Sequence, residues 1–144
     1  MPPTIAAVQP GSSAASEVVR LTNSARSQNG YAALVEDGAL SDAAAVRARE
    51  IAHSFSHTRP SGASFSSALS ESGVSYLRAG ENIAYGQRTP QAVMNGQKSA
   101  SEVVNAWMNS PDHRANILNS SYSRIGSASV NIDGTLYWVQ LFAD

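Results

Sequence analysis

The C-terminal end of the chain carries the feature that most restricts its fold, two strand patterns joined by a two-residue turn. Residues 124–132 and 135–143 read as strands, and Asp133-Gly134 between them is a favoured hairpin turn. In that register, Gly126, Ala128, Val130 and Ile132 share a face with Thr135, Tyr137, Val139 and Leu141. The other face combines polar residues with Ile125, Leu136, Trp138 and Phe142. Since both faces are apolar, helices must cover both, which predicts an α/β/α sandwich around a largely antiparallel sheet.

Two longer helices are predicted before the hairpin. The first covers 16–27, with Ser16 as its N-cap. The second covers 41–55, with Ser41 as its N-cap and a high alanine content. Its apolar stripe consists of Leu40, Ala44, Ala48, Ile51 and Phe55. So many alanines predict that another element packs very close to this helix, and the helical wheel places His53 opposite the stripe.

Shorter elements are predicted from local signals between the second helix and the hairpin. They are a helix over 65–71, a strand over 82–85, a helix opened by Thr89-Pro90, a loop over 95–98, a helix from 101 to 108, and a helix from the Ser110 cap to about 119. In the helix ending at Met108, Val103 and Trp107 form an apolar pair that predicts a core position for Trp107.

Composition limits the class of protein further. The 144 residues fit one domain, which we expect over 17–144, preceded by a linker or added segment over 1–16. The chain has no cysteine, so its stability must come from packing alone, and we expect a monomer. A net charge of −1 argues against nucleic acid as a partner. No apolar run reaches the roughly 20 residues of a membrane-spanning helix, and no signal peptide is visible.

Three segments in register resemble the CAP superfamily, which includes cysteine-rich secretory proteins, insect venom antigens and plant pathogenesis-related proteins. They are Phe55-Ser56-His57, the Gly-Glu-Asn motif of 80–84, and the run 103–118 that contains Ser-Pro-Asp-His. The last, followed by 124–126 and 137–140, is similar to the bacterial-type branch. The resemblance implies a three-layer sandwich, a secreted protein whose signal peptide has been removed, and a cleft lined by two histidines and acidic residues.

The resemblance also assigns the residues of this cleft. His57 matches the first histidine, Glu81 and Asn82 the Gly-Glu-Asn motif, and His113 the second histidine. Animal and plant members usually have a second glutamate where this chain has Ser110. The family tetrad is therefore incomplete, and a mechanism that needs two carboxylates is in doubt.

Two interpretations of this cleft stay open. His57, Glu81 and His113 are a plausible incomplete shell for zinc or another divalent metal, with water as a fourth ligand. The dipole at the start of its helix should keep His113 neutral, the form that binds metal. Alternatively, the same residues form a hydrogen-bonded network that holds the loops. For Ser110, a capping role is a better explanation than a nucleophilic pair with His113.

These observations favour a non-enzymatic extracellular binding module for a sterol, lipid or other small apolar ligand. Val93-Met94 and the nearby loop are a candidate binding surface, because methionine adapts to apolar ligands. One alternative is a metal-dependent hydrolase or peptidase that uses His57, Glu81 and His113. Another is a structural module of a cell or spore envelope. The missing second acid weighs most against the enzyme.

Overall fold

A computed structural model describes residues 13–87 and 96–144 of the chain, and the described part contains five helices and four strands. The helices are α1 (Ser13–Gln28), α2 (Gly38–His53), α3 (Ser66–Glu71), α4 (Gly96–Met108) and α5 (Pro111–Ile117). The strands are β1 (Val35–Glu36), β2 (Ala79–Gln87), β3 (Arg124–Ile132) and β4 (Thr135–Ala143).

The four strands form one sheet with the order β1-β3-β4-β2. The short strand β1 runs parallel to β3, and the other neighbouring pairs are antiparallel. The apolar side chains of β3 and β4 divide between two clusters. One includes Val139 and Leu141 with α2, and the other includes Trp138 and Phe142 with α1 and α4. Since neighbouring side chains alternate across a sheet, the two clusters lie on opposite faces of it, and each contains helical residues.

The predicted hairpin is confirmed in its bounds, its register and its turn. Ile132 pairs with Thr135 across the turn, and Gly126 pairs with Leu141. Asp133 and Gly134 both have positive φ, 52° and 85°. This is the backbone of a turn whose twist matches the flanking strands, and it explains the Asp-Gly sequence.

The predicted starts of both long helices are wrong. Helix α1 begins at Ser13 rather than after a cap at Ser16. Helix α2 begins at Gly38, and its cap is Asp37, whose Oδ1 accepts hydrogen bonds from the backbone N–H groups of residues 39 and 40. Ser41 is instead buried within the helix, where it packs against β3 at Gly126. The buried alanine side chains of α2 are small and allow this helix to pack close to β3, as predicted.

The C-terminal end of α2 also differs from its prediction. The helix ends at His53, so the apolar stripe stops at Ile51 and Phe55 is largely exposed beyond it. His53 is exposed, as the helical wheel indicated. The exposure of Phe55 follows from the change to extended backbone at Ser54, which takes residue 55 away from the helical stripe.

The middle of the chain is more regular than predicted. The strand expected over 82–85 extends over all nine residues of β2, because every residue of β2 pairs with β4. The helix over 65–71 is confirmed within one residue. The loop expected over 95–98 is wrong for 96–98, which belong to α4. Asn95 and the helix expected to open at Thr89-Pro90 lie outside the described residues. Helix α5 ends at Ile117, two residues before its predicted end.

Candidate functional site

Glu81 lies at the centre of the site, on the face of β2 that packs against α2. Its buried carboxylate accepts hydrogen bonds from Arg47 at both oxygens, Nε to Oε2 at 2.6 Å and Nη2 to Oε1 at 3.0 Å. Oε1 also lies 2.8 Å from Nδ1 of His57. A carboxylate paired with a guanidinium only accepts hydrogen bonds, so Nδ1 of His57 carries the proton. In the neutral ring, Nε2 keeps its lone pair.

A second set of ion pairs fixes the loop that carries His57. Nη2 of Arg47 donates to the backbone carbonyl of Ser56 at 2.6 Å, directly before His57. Glu50 accepts from Nη1 of Arg47 at 2.9 Å and from Nη2 of Arg59 at 2.8 Å. Hydrogen bonds to Glu50 and to a second glutamate hold the pKa of Arg59 above its ordinary value. The position of His57 therefore depends on α2.

Asn82 follows Glu81 in the chain but lies on the opposite face of the sheet, because side chains alternate along a strand. Its Nδ2 donates to Oε1 of Gln140 at 2.8 Å and to the backbone carbonyl of His113 at 3.1 Å. Its Oδ1 accepts from Asn116 at 2.9 Å. Gln140 in turn donates to the hydroxyl of Thr22 in α1 at 3.0 Å. This amide network ties the start of α5 to the sheet.

His113 and Ser110 form a local pair at the start of α5. Ser110 has the backbone conformation of an N-cap, but its hydroxyl makes no capping hydrogen bond and lies 2.8 Å from Nδ1 of His113. Ser110 is therefore the N-cap residue by position, as predicted, but its hydroxyl does not cap the helix. Burial and the nearby charge of His57 lower the pKa of His113, so its imidazole is neutral near pH 7. Nε2 of His113 bonds to no residue in the described part of the chain, so the pair lacks the orienting group of a catalytic triad.

The predicted residues thus come together as two hydrogen-bonded pairs, His57 with Glu81 and Ser110 with His113. Asn82 joins the second pair to β2. Over residues 13–87 and 96–144, no group of three His, Asp or Glu side chains could hold a metal ion. The donor chemistry agrees, because both oxygens of Glu81 already accept from Arg47. Glu81 is therefore a poor third ligand in this arrangement, and zinc binding at His57, Glu81 and His113 stays a prediction.

A group of three rings, two exposed and one half-buried, lies on the same sheet face as Glu81 and is here named the aromatic patch. It consists of Phe55, Tyr85 and Tyr137. The Phe55 and Tyr85 rings meet edge to face with centroids 4.8 Å apart, and Tyr85 stacks on Tyr137 at 6.1 Å. Tyr85 is 61% exposed and Phe55 46%. The surface predicted at Val93-Met94 lies outside the described residues.

Comparison with known proteins identifies the family. The model of the cysteine-rich secretory protein family, CAP, matches residues 19–142. The chain belongs to the CAP family. It is 39% identical over 128 residues to the uncharacterized protein YkwD of Bacillus subtilis, covering 88% of this chain and 45% of that protein. This CAP chain spans less than half the length of the curated relatives it matches.

Solved structures of other bacterial proteins share the fold. An extracellular protein with an SCP domain from Bacillus anthracis superposes with a TM-score of 0.74 at 25% identity, covering 90% of this chain and 40% of that one. An outer surface protein of Borrelia burgdorferi gives a TM-score of 0.74 at 22% identity, covering 88% of this chain and 89% of that one. Within the described ranges of this CAP chain, none of the helices is long and apolar enough to span a bilayer.

Sequence reasoning missed Arg47, although a signal for it exists. Arg47 lies seven residues after Leu40 and four before Ile51, which is a position in the buried stripe of α2. A cation in such a stripe must find an anion, because burying an unpaired charge is costly. Burial alone would lower the pKa of Arg47, but hydrogen bonds to Glu81 and Glu50 outweigh it and raise that pKa. The identity of the anion does not follow from the sequence.

Proposed function

We propose that this CAP domain is a non-enzymatic extracellular binding module that holds one lipid molecule of the sterol or similar apolar class at the aromatic patch. The observation that carries the proposal is the exposure of Phe55 and Tyr85, which form a contiguous ring surface with Tyr137. Exposed contiguous apolar surface on a folded domain marks an interaction site more often than scattered apolar residues do.

The chemistry of the patch supports an apolar ligand. Ring faces and edges bury large apolar area at a low entropic cost, while the tyrosine hydroxyls offer hydrogen bonds to a polar end. Three rings with successive centroids 4.8 and 6.1 Å apart present a surface on which one small molecule is seated in this proposal. His57 bonds to Glu81, which lies four residues before Tyr85 on the same face of β2, so in this proposal the polar end of the ligand points toward that imidazole.

The state of the carboxylate argues against the hydrolase alternative. A general base needs an oxygen free to take a proton from water, but both oxygens of Glu81 accept from Arg47. Ser110 stands where the family usually has a second acid, and its hydroxyl bonds to His113. The polar residues of the cleft therefore act in this proposal as a scaffold that holds the loops beside the aromatic patch.

Binding of a fluorescent sterol to the purified domain tests the proposal. We expect saturable binding, with Tyr85→Ser and Phe55→Ser each weakening it by about tenfold, the equivalent of losing one well-buried ring contact. Leu77→Ser is the matched control. Leu77 is 93% exposed and precedes the opposite end of β2, so it offers a similar apolar loss away from the patch.

Two outcomes would replace the proposal. If Leu77→Ser weakens sterol binding as much as Tyr85→Ser does, the binding is non-specific adsorption and the patch is not the site. If the domain instead cleaves a fluorogenic peptide with a rate that requires added zinc and His57, the hydrolase interpretation is correct. If the domain binds no sterol, and its loss weakens a cell or spore envelope, the structural alternative is favoured.

A further inference from the structure

A second site is indicated on the opposite side of the molecule from α2, where a buried arginine has no acidic partner. Arg26, near the end of α1, is only 2% exposed. Its Nε donates to the carbonyl of Ala32 at 2.7 Å, and its Nη1 donates to the carbonyls of Ile117 at 2.7 Å and Asn119 at 3.1 Å. No carboxylate in the described part of the chain forms an ion pair with Arg26.

This arrangement differs from that of the other buried arginines. Arg47 and Arg59 each pair with glutamates, as expected for charges removed from water. Carbonyl dipoles accept from Nε and Nη1 of Arg26 but supply no full negative charge. Burial accordingly lowers the pKa of Arg26. The guanidinium thus carries a positive charge that the described chain leaves uncompensated.

Arg26 lines a cavity of about 420 Å³ between the end of α1 and the segment after α5. Its lining residues also include Tyr31, Tyr122, Ser120 and Ser123. Tyr31 packs over the guanidinium, 5.6 Å from its central carbon to the ring centroid. A volume of this order suits a small organic molecule.

One amino group of the guanidinium is left for a ligand. Nη2 of Arg26 donates to no residue in the described part of the chain. Nη2 also keeps some contact with solvent. Among the side-chain polar atoms of the described residues that are closed off from solvent, only Oγ of Ser41 lacks a hydrogen-bond partner, so Nη2 is not one of the closed-off atoms. We assign this access to the cavity, because Arg26 is one of the residues that line it.

We propose that this cavity binds a small organic carboxylate. One carboxylate oxygen accepts from Nη2 of Arg26 and supplies the missing negative charge. Ser120 and Ser123, which also line the cavity, offer hydroxyl donors for the second oxygen, and Tyr31 and Tyr122 offer apolar surface for the carbon skeleton. This site is independent of the aromatic patch and of the function proposed there.

Benzoate and benzamide form the matched probe pair, because they share shape and differ in charge. In NMR titrations of the intact domain we expect saturable shifts around Tyr31 and Ser123 with benzoate, and affinity at least about tenfold lower for benzamide. Arg26→Gln should lower the affinity for benzoate by a similar factor, and Tyr31→Leu should lower that affinity several-fold. Arg114→Gln, which removes an exposed arginine bonded to Asn29, should leave the affinity unchanged.

Each other outcome overturns the proposal. Equal binding of benzamide would show an apolar cavity without anion recognition. If Arg114→Gln loses as much benzoate affinity as Arg26→Gln does, the effect is one of general charge and not of the site. If Arg26→Gln does not fold, the Tyr31→Leu variant and the probe pair still decide the question, because neither disturbs the carbonyl contacts of Arg26. Inorganic phosphate that competes with benzoate at equal affinity would mean that the site recognises anions in general and not carboxylates.

Discussion

Replacing Gly126 with alanine should severely destabilise the domain, because this glycine is the point where β3 meets the backbone of α2. A Cβ at Gly126 would overlap with the carbonyl carbon of Leu40 and the amide nitrogen of Ser41, and it would lie 2.6 Å from Cβ of Leu40. Side chains can rotate away from an overlap, but a helix backbone cannot. The whole alanine face of α2 must therefore lift from the sheet, and we expect a loss of at least about 3 kcal/mol, the upper end for overpacked cores.

Urea denaturation followed by the fluorescence of the two buried tryptophans measures this loss. Two other strand glycines calibrate it. At Gly86 a Cβ meets nothing within 4 Å, so Gly86→Ala should change the free energy of unfolding by less than about 0.5 kcal/mol. At Gly80 a Cβ lies 2.6 Å from Oη of Tyr122 and 3.0 Å from Oδ1 of Asn116, which are side-chain atoms rather than backbone, so we expect an intermediate loss. If Gly126→Ala costs no more than Gly86→Ala, the close packing of α2 on β3 is refuted.

Four further changes test other parts of the fold. Trp107→Ala should cost about 3–5 kcal/mol in thermal or urea unfolding, because the ring is only 2% exposed; a loss below about 1 kcal/mol would place it at the surface. Arg47→Met should cost about 3–5 kcal/mol by leaving Glu81 as an unpaired buried charge, and adding Glu81→Gln should recover part of that loss in a double-mutant cycle. Gly134→Val should cost about 1–3 kcal/mol, because φ is 85° there, whereas unchanged stability would contradict the turn. Since the pKa of His113 is lowered in the folded state, stability should fall as pH drops below about 6.5, the unfolded value, and His113→Gln should flatten that dependence.

The hairpin was predictable because all of its information is local. Asp133-Gly134 requires positive φ at both positions, and the alternation on either side then sets every pair in the register. The same holds for the alanines of α2, whose small size indicates close packing before the partner is known. The partner itself, Gly126, could be named only once the structure placed β3 under α2.

Local signals failed where a competing contact was stronger. Ser41 is a reasonable cap by type, but Asp37 lies four residues earlier and its carboxylate accepts from two backbone N–H groups. The Asn95-Gly96 pair suggested a loop, yet α4 begins at Gly96. Strand β2 contains glycines and polar residues that disfavour a strand, and its nine residues are held by pairing with β4 rather than by propensity.

The geometry of the site depended on which face of β2 each residue occupies, which no motif specifies. Adjacent residues of a strand lie on opposite faces of the sheet, so Glu81 and Asn82 of the Gly-Glu-Asn motif contact different helical layers. Glu81 bonds to His57 and Arg47 on the α2 side, and Asn82 bonds to the backbone of His113 on the other. His57 and the backbone of His113 are thus each held to β2, through Glu81 and Asn82 respectively. The relative position of the two histidines therefore depends on both helical layers staying in register with this one strand.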